Sequence, residues 1–136
     1  MKQFCGRVDR DLHLPLPTRI KGVSGLTLGG TRNILDTTLK PKGKGFLLLH
    51  VGANDIGSMS SYNWLRELES LVYYARARYP DYKLLWSDML PRRRWRYGCK
   101  YQAETKRRRL QRRARKLFLR EGGGVIRHPL LTKDRY

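Results

Sequence analysis

Acidic residues are scarce in this chain. Eleven Asp and Glu stand against thirty Lys and Arg, leaving a formal net charge of +19 over 136 residues. That imbalance says little about fold, but it favours nonspecific association with nucleic acid or other polyanions. Cysteine is scarcer still. Cys5 and Cys99 are the two in the sequence; they lie far apart and outside any C-x-x-C spacing. A disulfide framework and a zinc site are therefore not expected, and a reducing intracellular location, cytoplasmic or nuclear, is. Neither a cofactor nor a metal is called for. No apolar run approaches the roughly 20 residues of a membrane span, and Met1 to Asp11 lacks the apolar segment of a secretory signal. What is present is a hydrophobic content of 40%, ample for a folded chain of one domain spanning 1–136, with neither an internal repeat nor a low-complexity linker to divide it.

Short apolar runs alternate with longer amphipathic ones. Arg19 to Val23 reads as a short strand, and Thr31 to Leu39 as a helix. Phe46 to Val51, apolar up to its His, has the look of a parallel strand covered on both faces. Ser60 or Ser61 then caps a helix whose apolar stripe is Leu65, Leu68, Leu71, Val72, Ala75 and Tyr79, closed by Pro80. Lys83 to Leu90 is the next strand. Tyr101 to Arg120 is a second long helix with Ala103, Leu110, Ala114, Leu117 and Phe118 inward, and Gly122 to Gly124 stop it before a last strand at Val125 to Arg127. Strand and helix alternate throughout, which predicts right-handed crossovers and a three-layer α/β/α domain: a parallel sheet with helices on both faces.

Two motifs fall just beyond strand ends, where an α/β sheet places its chemistry. They are Gly22-Val23-Ser24-Gly25-Leu26-Thr27 and Gly52-Ala53-Asn54-Asp55. Taken alone, a Gly-x-Asn-Asp after a strand is often only a turn. Together the two resemble the second and third signature blocks of the SGNH (GDSL-type) hydrolases, a family of esterases, lipases and carbohydrate deacetylases. The later W-S-D-M-L-P-R, the basic helix and G-G-V-I-R-H resemble SGNH-like domains of animal genomes, often in sequences related to mobile elements. The resemblance runs from about 19 to 129. It implies a flavodoxin-like sheet, and it implies oxyanion-hole roles for the Gly25 backbone N–H and the Asn54 side-chain amide. Such donors suit developing negative charge: glycine lets the backbone approach a reacting carbonyl, and asparagine offers an uncharged N–H worth roughly 3 kcal/mol in a transition state. Asp55 reads as a carboxylate that holds the loop.

The same family carries its nucleophile in G-D-S and its base in D-x-x-H. Neither string occurs here, so the resemblance implies a domain incomplete at both ends, ancestrally an acyl-ester hydrolase and catalytically inactive as the chain stands, with an ester substrate only in a complete homologue. Ser24 lies in the second block but has no base nearby in sequence. His50 reads as a partly buried strand-end side chain with a satisfied hydrogen bond, and His128 as one bonded to backbone.

A different class of function is suggested by the basic segment. Fourteen Lys or Arg and one acid, Glu104, lie between Arg92 and Arg120, most densely from Lys106 to Lys116. Arg107, Arg108, Arg109, Arg112 and Arg113 are the candidate nucleic-acid contacts, and Trp95, Tyr97 and Tyr101 upstream are candidates for stacking on bases. The plain alternative is a solvated outer helix.

Overall fold

The computed structural model describes residues 18–95 and 98–129. Their elements are α1 (Thr31–Thr38), β1 (Gly45–Leu49), a 3-10 turn (Ala53–Asp55), α2 (Ser61–Arg78), β2 (Tyr82–Ser87), α3 (Lys100–Arg120) and β3 (Gly124–Ile126). The three strands form one parallel sheet in the order β1-β2-β3, with Leu49 opposite Trp86 and Ser87 opposite Ile126. The fold class is thus mixed α/β with a parallel sheet, as the alternation predicts.

Local chemistry sets the boundaries. Ser60 caps α2 by accepting the Asn63 N–H at 3.1 Å. Cys99 stands at the same position of α3, its sulfur 3.4 Å from the Gln102 nitrogen. Leu68, Leu71, Val72, Ala75 and Tyr79 are buried as the stripe requires, and Trp64 joins them fully buried. Trp86 is the hub of the core: its ring meets Trp64 edge-on at 6.2 Å and Phe118 at 5.5 Å. Its own Nε1 is buried and has no partner among the described residues.

Two expectations need correction. Residues 18–23 form no strand and join no ladder. Their backbone has no strand beside it among the described residues, and the segment is anchored instead by a turn in which Leu26 N–H bonds to Val23 O. Nor is the sheet covered on both faces by the described helices. Leu49, Trp86 and Val125 share the face against which α2 and α3 pack together, and α1 packs on α2. The alternate residues point the other way, where Phe46 is 63% and Leu48 50% exposed. The described residues therefore make two layers, and the uniformly apolar strand does not mean two covered faces here.

Among the described residues no helix is long and apolar enough to cross a membrane.

Candidate oxyanion and histidine site

The loops that follow β1 and β2, and the segment after β3, all emerge at the same end of the sheet. Gly52 begins the first of them with φ of +102°, a backbone region that favours glycine. A Cβ there would also stand 2.6 Å from Cζ2 of the buried Trp64. The Trp64 indole N–H donates to Gly52 O at 2.9 Å, so ring and loop are locked together. From this turn Asp55 is directed inward. It is buried and accepts the Leu28 N–H at 2.9 Å. Burial pushes its carboxyl up from the ordinary range, with the Leu28 N–H acting in the opposite direction. Asp55 therefore holds the loop, as the sequence suggests, but it does so across to the other motif rather than within its own.

Asn54 is exposed, and its amide is oriented at both ends. Nδ2 donates to Leu26 O at 2.9 Å, and Oδ1 accepts from Arg92 Nη2 at 3.0 Å. This brings the Asn54 side chain onto the turn that contains Gly25. Gly25 is exposed with φ of +71°, has open space on its Cβ side, and its N–H is taken up by no hydrogen bond among the described residues. The second hydrogen on Asn54 Nδ2 is likewise unassigned. The two residues singled out by motif are thus neighbours at one sheet end. Ser24 lies exposed in the same turn, with no histidine bonded to it among the described residues.

Arg92, not singled out by sequence, joins this group to a second one. Its guanidinium lies over the Trp95 ring at 5.2 Å, and partial burial lowers its pKa. Its charge also acts on His50. His50 Nδ1 stands 2.9 Å from Ser87 Oγ, and His128 Nε2 stands 2.9 Å from the same oxygen. The two imidazoles meet edge-on at 6.2 Å. Ser87 is only 4% exposed, whereas His50 keeps an exposed edge. The expectation for His128 is corrected, since it bonds a side-chain hydroxyl rather than backbone; the satisfied hydrogen bond expected of His50 is present, and its partner is Ser87. Removal of water from part of the His50 ring is the main cause that lowers its pKa, helped by His128 and Arg92 and opposed by a hydrogen bond to the Ser87 backbone.

The basic helix divides into two populations. Arg107 is buried, paired with Glu104 at 3.1 Å and donating to Met89 O at 3.1 Å; it is not available to a polyanion, contrary to expectation. Lys106 donates to Ile56 O and Met59 O, and partial burial lowers its pKa. Arg115 grips the buried Asp88 carboxylate. Arg108, Arg109, Arg112, Arg113 and Lys116 are exposed and have no acidic partner among the described residues. Glu104 serves several masters at once, also accepting the Trp95 indole N–H at 2.9 Å and the Arg92 backbone N–H at 3.1 Å.

A shallow cleft between the loop after the 3-10 turn and α3 is lined by Ile56, Gly57, Gly98, Gln102, Ala103 and Lys106. Its volume of about 150 Å³ is below the roughly 300 Å³ at which small-molecule pockets begin. Among the described residues no group of three or more His, Cys, Asp or Glu converges as a metal site. Compared with known proteins, the sequence matches no family model and no curated protein.

Proposed function

We propose that this chain is an SGNH-type hydrolase scaffold that retains the oxyanion-binding half of an esterase site and, as it stands, makes no acyl-serine. The observation that carries this reading is the placement of the Asn54 amide, 2.9 Å from Leu26 O, beside the unused Gly25 N–H. The Gly25 N–H and the second hydrogen of an Asn54 amide already held by Leu26 O are donors of the kind a developing oxyanion needs. The parallel order of three consecutive strands is compatible with one side of a flavodoxin-like sheet. The absent G-D-S and D-x-x-H strings leave the chain without that family's nucleophile and base. The test is a titration with methylphosphonate, an oxyanion mimic, followed by amide NMR. Gly25 N–H and Asn54 Nδ2 signals should shift together and saturably, and Asn54→Ala should abolish the Gly25 response. Shifts confined to the arginine-rich helix would overturn the reading.

A second reading concerns α3, and it is favoured by the exposed row of Arg108, Arg112 and Lys116 beside Arg109 and Arg113. Residues four apart on a helix advance by about 6 Å, so the row presents regularly spaced cations to the phosphates of a nucleic acid. Such contacts position a partner without reading its sequence.

A further inference from the structure

We infer that His50 is the general base of this sheet end, drawing a proton from a water molecule that attacks the carbonyl carbon of an acyl ester. The inference rests on the oxyanion reading of Gly25 and Asn54, and adds to it the group that activates the attacking water. It starts from the bridge of His50, Ser87 and His128. Ser87 Oγ is 2.9 Å from a ring nitrogen on each side, yet a hydroxyl has a single proton to give. At least one histidine must therefore donate to Ser87, and His50 is taken as that donor. With His50 Nδ1–H donating to Oγ, the Ser87 O–H donates to His128 Nε2, and the lone pair of His50 lies on Nε2. That nitrogen bonds no described residue, and the His50 side chain is exposed.

Exposure divides the roles. Ser87 is 4% exposed and hydrogen-bonded on both sides; it is a positioning residue that fixes the His50 tautomer. His50 is the bridge member that presents a lone pair outward. Partial burial is the main cause that disfavours the protonated ring; the charged groups acting on it in the same direction are His128, when protonated, from the end of β3, and Arg92 from beyond β2. Arg92 also links the base to the oxyanion donors, since it donates to Asn54 Oδ1 at 3.0 Å.

The step balances without any further reagent. The water oxygen bonds to the carbonyl carbon, its proton passes to His50 Nε2, and the carbonyl electron pair moves to the oxygen facing Gly25 N–H and Asn54 Nδ2. Collapse re-forms the carbonyl and breaks the bond to the leaving oxygen, which takes the proton from Nε2. The products are one acid and one alcohol.

The test uses the full chain and p-nitrophenyl acetate between pH 5 and 8, with free imidazole at equal concentration as the reference. A positioned base typically contributes on the order of a hundredfold, so the protein should exceed imidazole by about that factor and His50→Gln should fall to the reference rate. The pH–rate midpoint should lie below the ordinary imidazole value of 6.5 and coincide with the His50 ring titration seen by NMR, a readout on the unaltered protein that stands even if His50→Gln folds poorly. Ser87→Ala should change the ratio of His50 tautomers in the NMR spectrum and lower the rate. A His50→Gln protein as fast as the parent, or a rate unrelated to the His50 titration, overturns the inference. So does labelling of Ser87 by a fluorophosphonate, which would make that serine the nucleophile. Loss of rate in Asn54→Ala with His50→Gln unchanged leaves the oxyanion reading standing and removes the base; the reverse pattern keeps the base and removes the oxyanion donors.

Discussion

Asp55 accepts the Leu28 N–H across 27 residues of sequence and thereby ties the loop of one motif to the loop of the other. An ion is an expensive acceptor in such a place. Desolvation raises the Asp55 pKa, so neutralisation favours the fold. Asp55→Ala should destabilise by about 1–3 kcal/mol by leaving a buried N–H unpaired. Asp55→Asn keeps an acceptor oxygen and removes the charge, and should recover most of that loss. Denaturant unfolding of the two variants checks this; equal losses would show that the charge itself is required.

At Gly52 two demands coincide, a φ of +102° and a Cβ position 2.6 Å from a buried indole. Gly52→Ala should cost about 1–3 kcal/mol from backbone strain alone, with a further loss as Trp64 shifts. A Trp64 fluorescence change at an unaltered helix content would be the signature. Gly25→Ala, with open space beside it, should cost less.

The pH dependence of stability follows from His50. Its folded pKa lies below 6.5, so under mildly acid conditions the unfolded chain binds more protons than the folded one. The His50 contribution is therefore whole above the unfolded value and is lost as pH falls from 6.5 through the folded pKa. Thermal melts at pH 7.5 and 5 should differ in that direction, and His50→Gln should shrink the difference. Because Asp55, with its raised pKa, acts in the opposite direction, the decisive comparison is with the variant: a pH 7.5-to-5 difference that is the same in His50→Gln would contradict the assignment.

The arginines of α3 should respond in two ways. Replacing Arg108, Arg109, Arg112 and Arg113 by Gln should leave the melting temperature nearly unchanged and flatten the salt dependence of duplex DNA binding, by roughly 0.9 in log–log slope for each phosphate contact removed. Arg107→Gln should leave that slope alone and destabilise by about 3–5 kcal/mol, since it strands Glu104 in the interior. Salt titrations and melts on the same preparations separate the two groups.

Much of this architecture was legible because the periodicities are strong. The stripe on α2, the glycine stop after α3 and the three paired strands follow from spacing alone. Arg19 to Val23 misled because β-like composition specifies no partner, and a ladder is a property of two segments. The bare face of Phe46 and Leu48 was hidden for the opposite reason: a run of leucines looks the same whether one face is covered or both. Gly25 and Asn54 were found as motif residues, and their adjacency required the Asn54 to Leu26 contact. Ser87 lies inside the W-S-D-M-L-P-R string, but nothing in that string marks it as a partner of two histidines. It lies 37 residues from His50 and 41 from His128, and a single serine at a strand end is unremarkable until the register lines up three ends. Arg107 was mistaken for a surface cation because helical spacing around Leu110 leaves the depth of a flanking arginine undetermined, and Glu104 three residues earlier is the signal that separates it from Arg108.

The bare face has a consequence for how the molecule behaves in bulk. Phe46 and Leu48, 63% and 50% exposed on a strand that is the edge of the sheet among the described residues, are the kind of surface through which copies of a chain adhere. Working against this is a net charge of +19 on every copy, whose repulsion reaches about 30 Å in 0.01 M salt and only about 3 Å at 1 M. Colloidal stability is therefore supplied from a distance by the arginines rather than by the sheet itself. Light scattering should rise as salt is added, the reverse of what salt does to polyanion binding on α3, and Phe46→Lys with Leu48→Thr should suppress that rise.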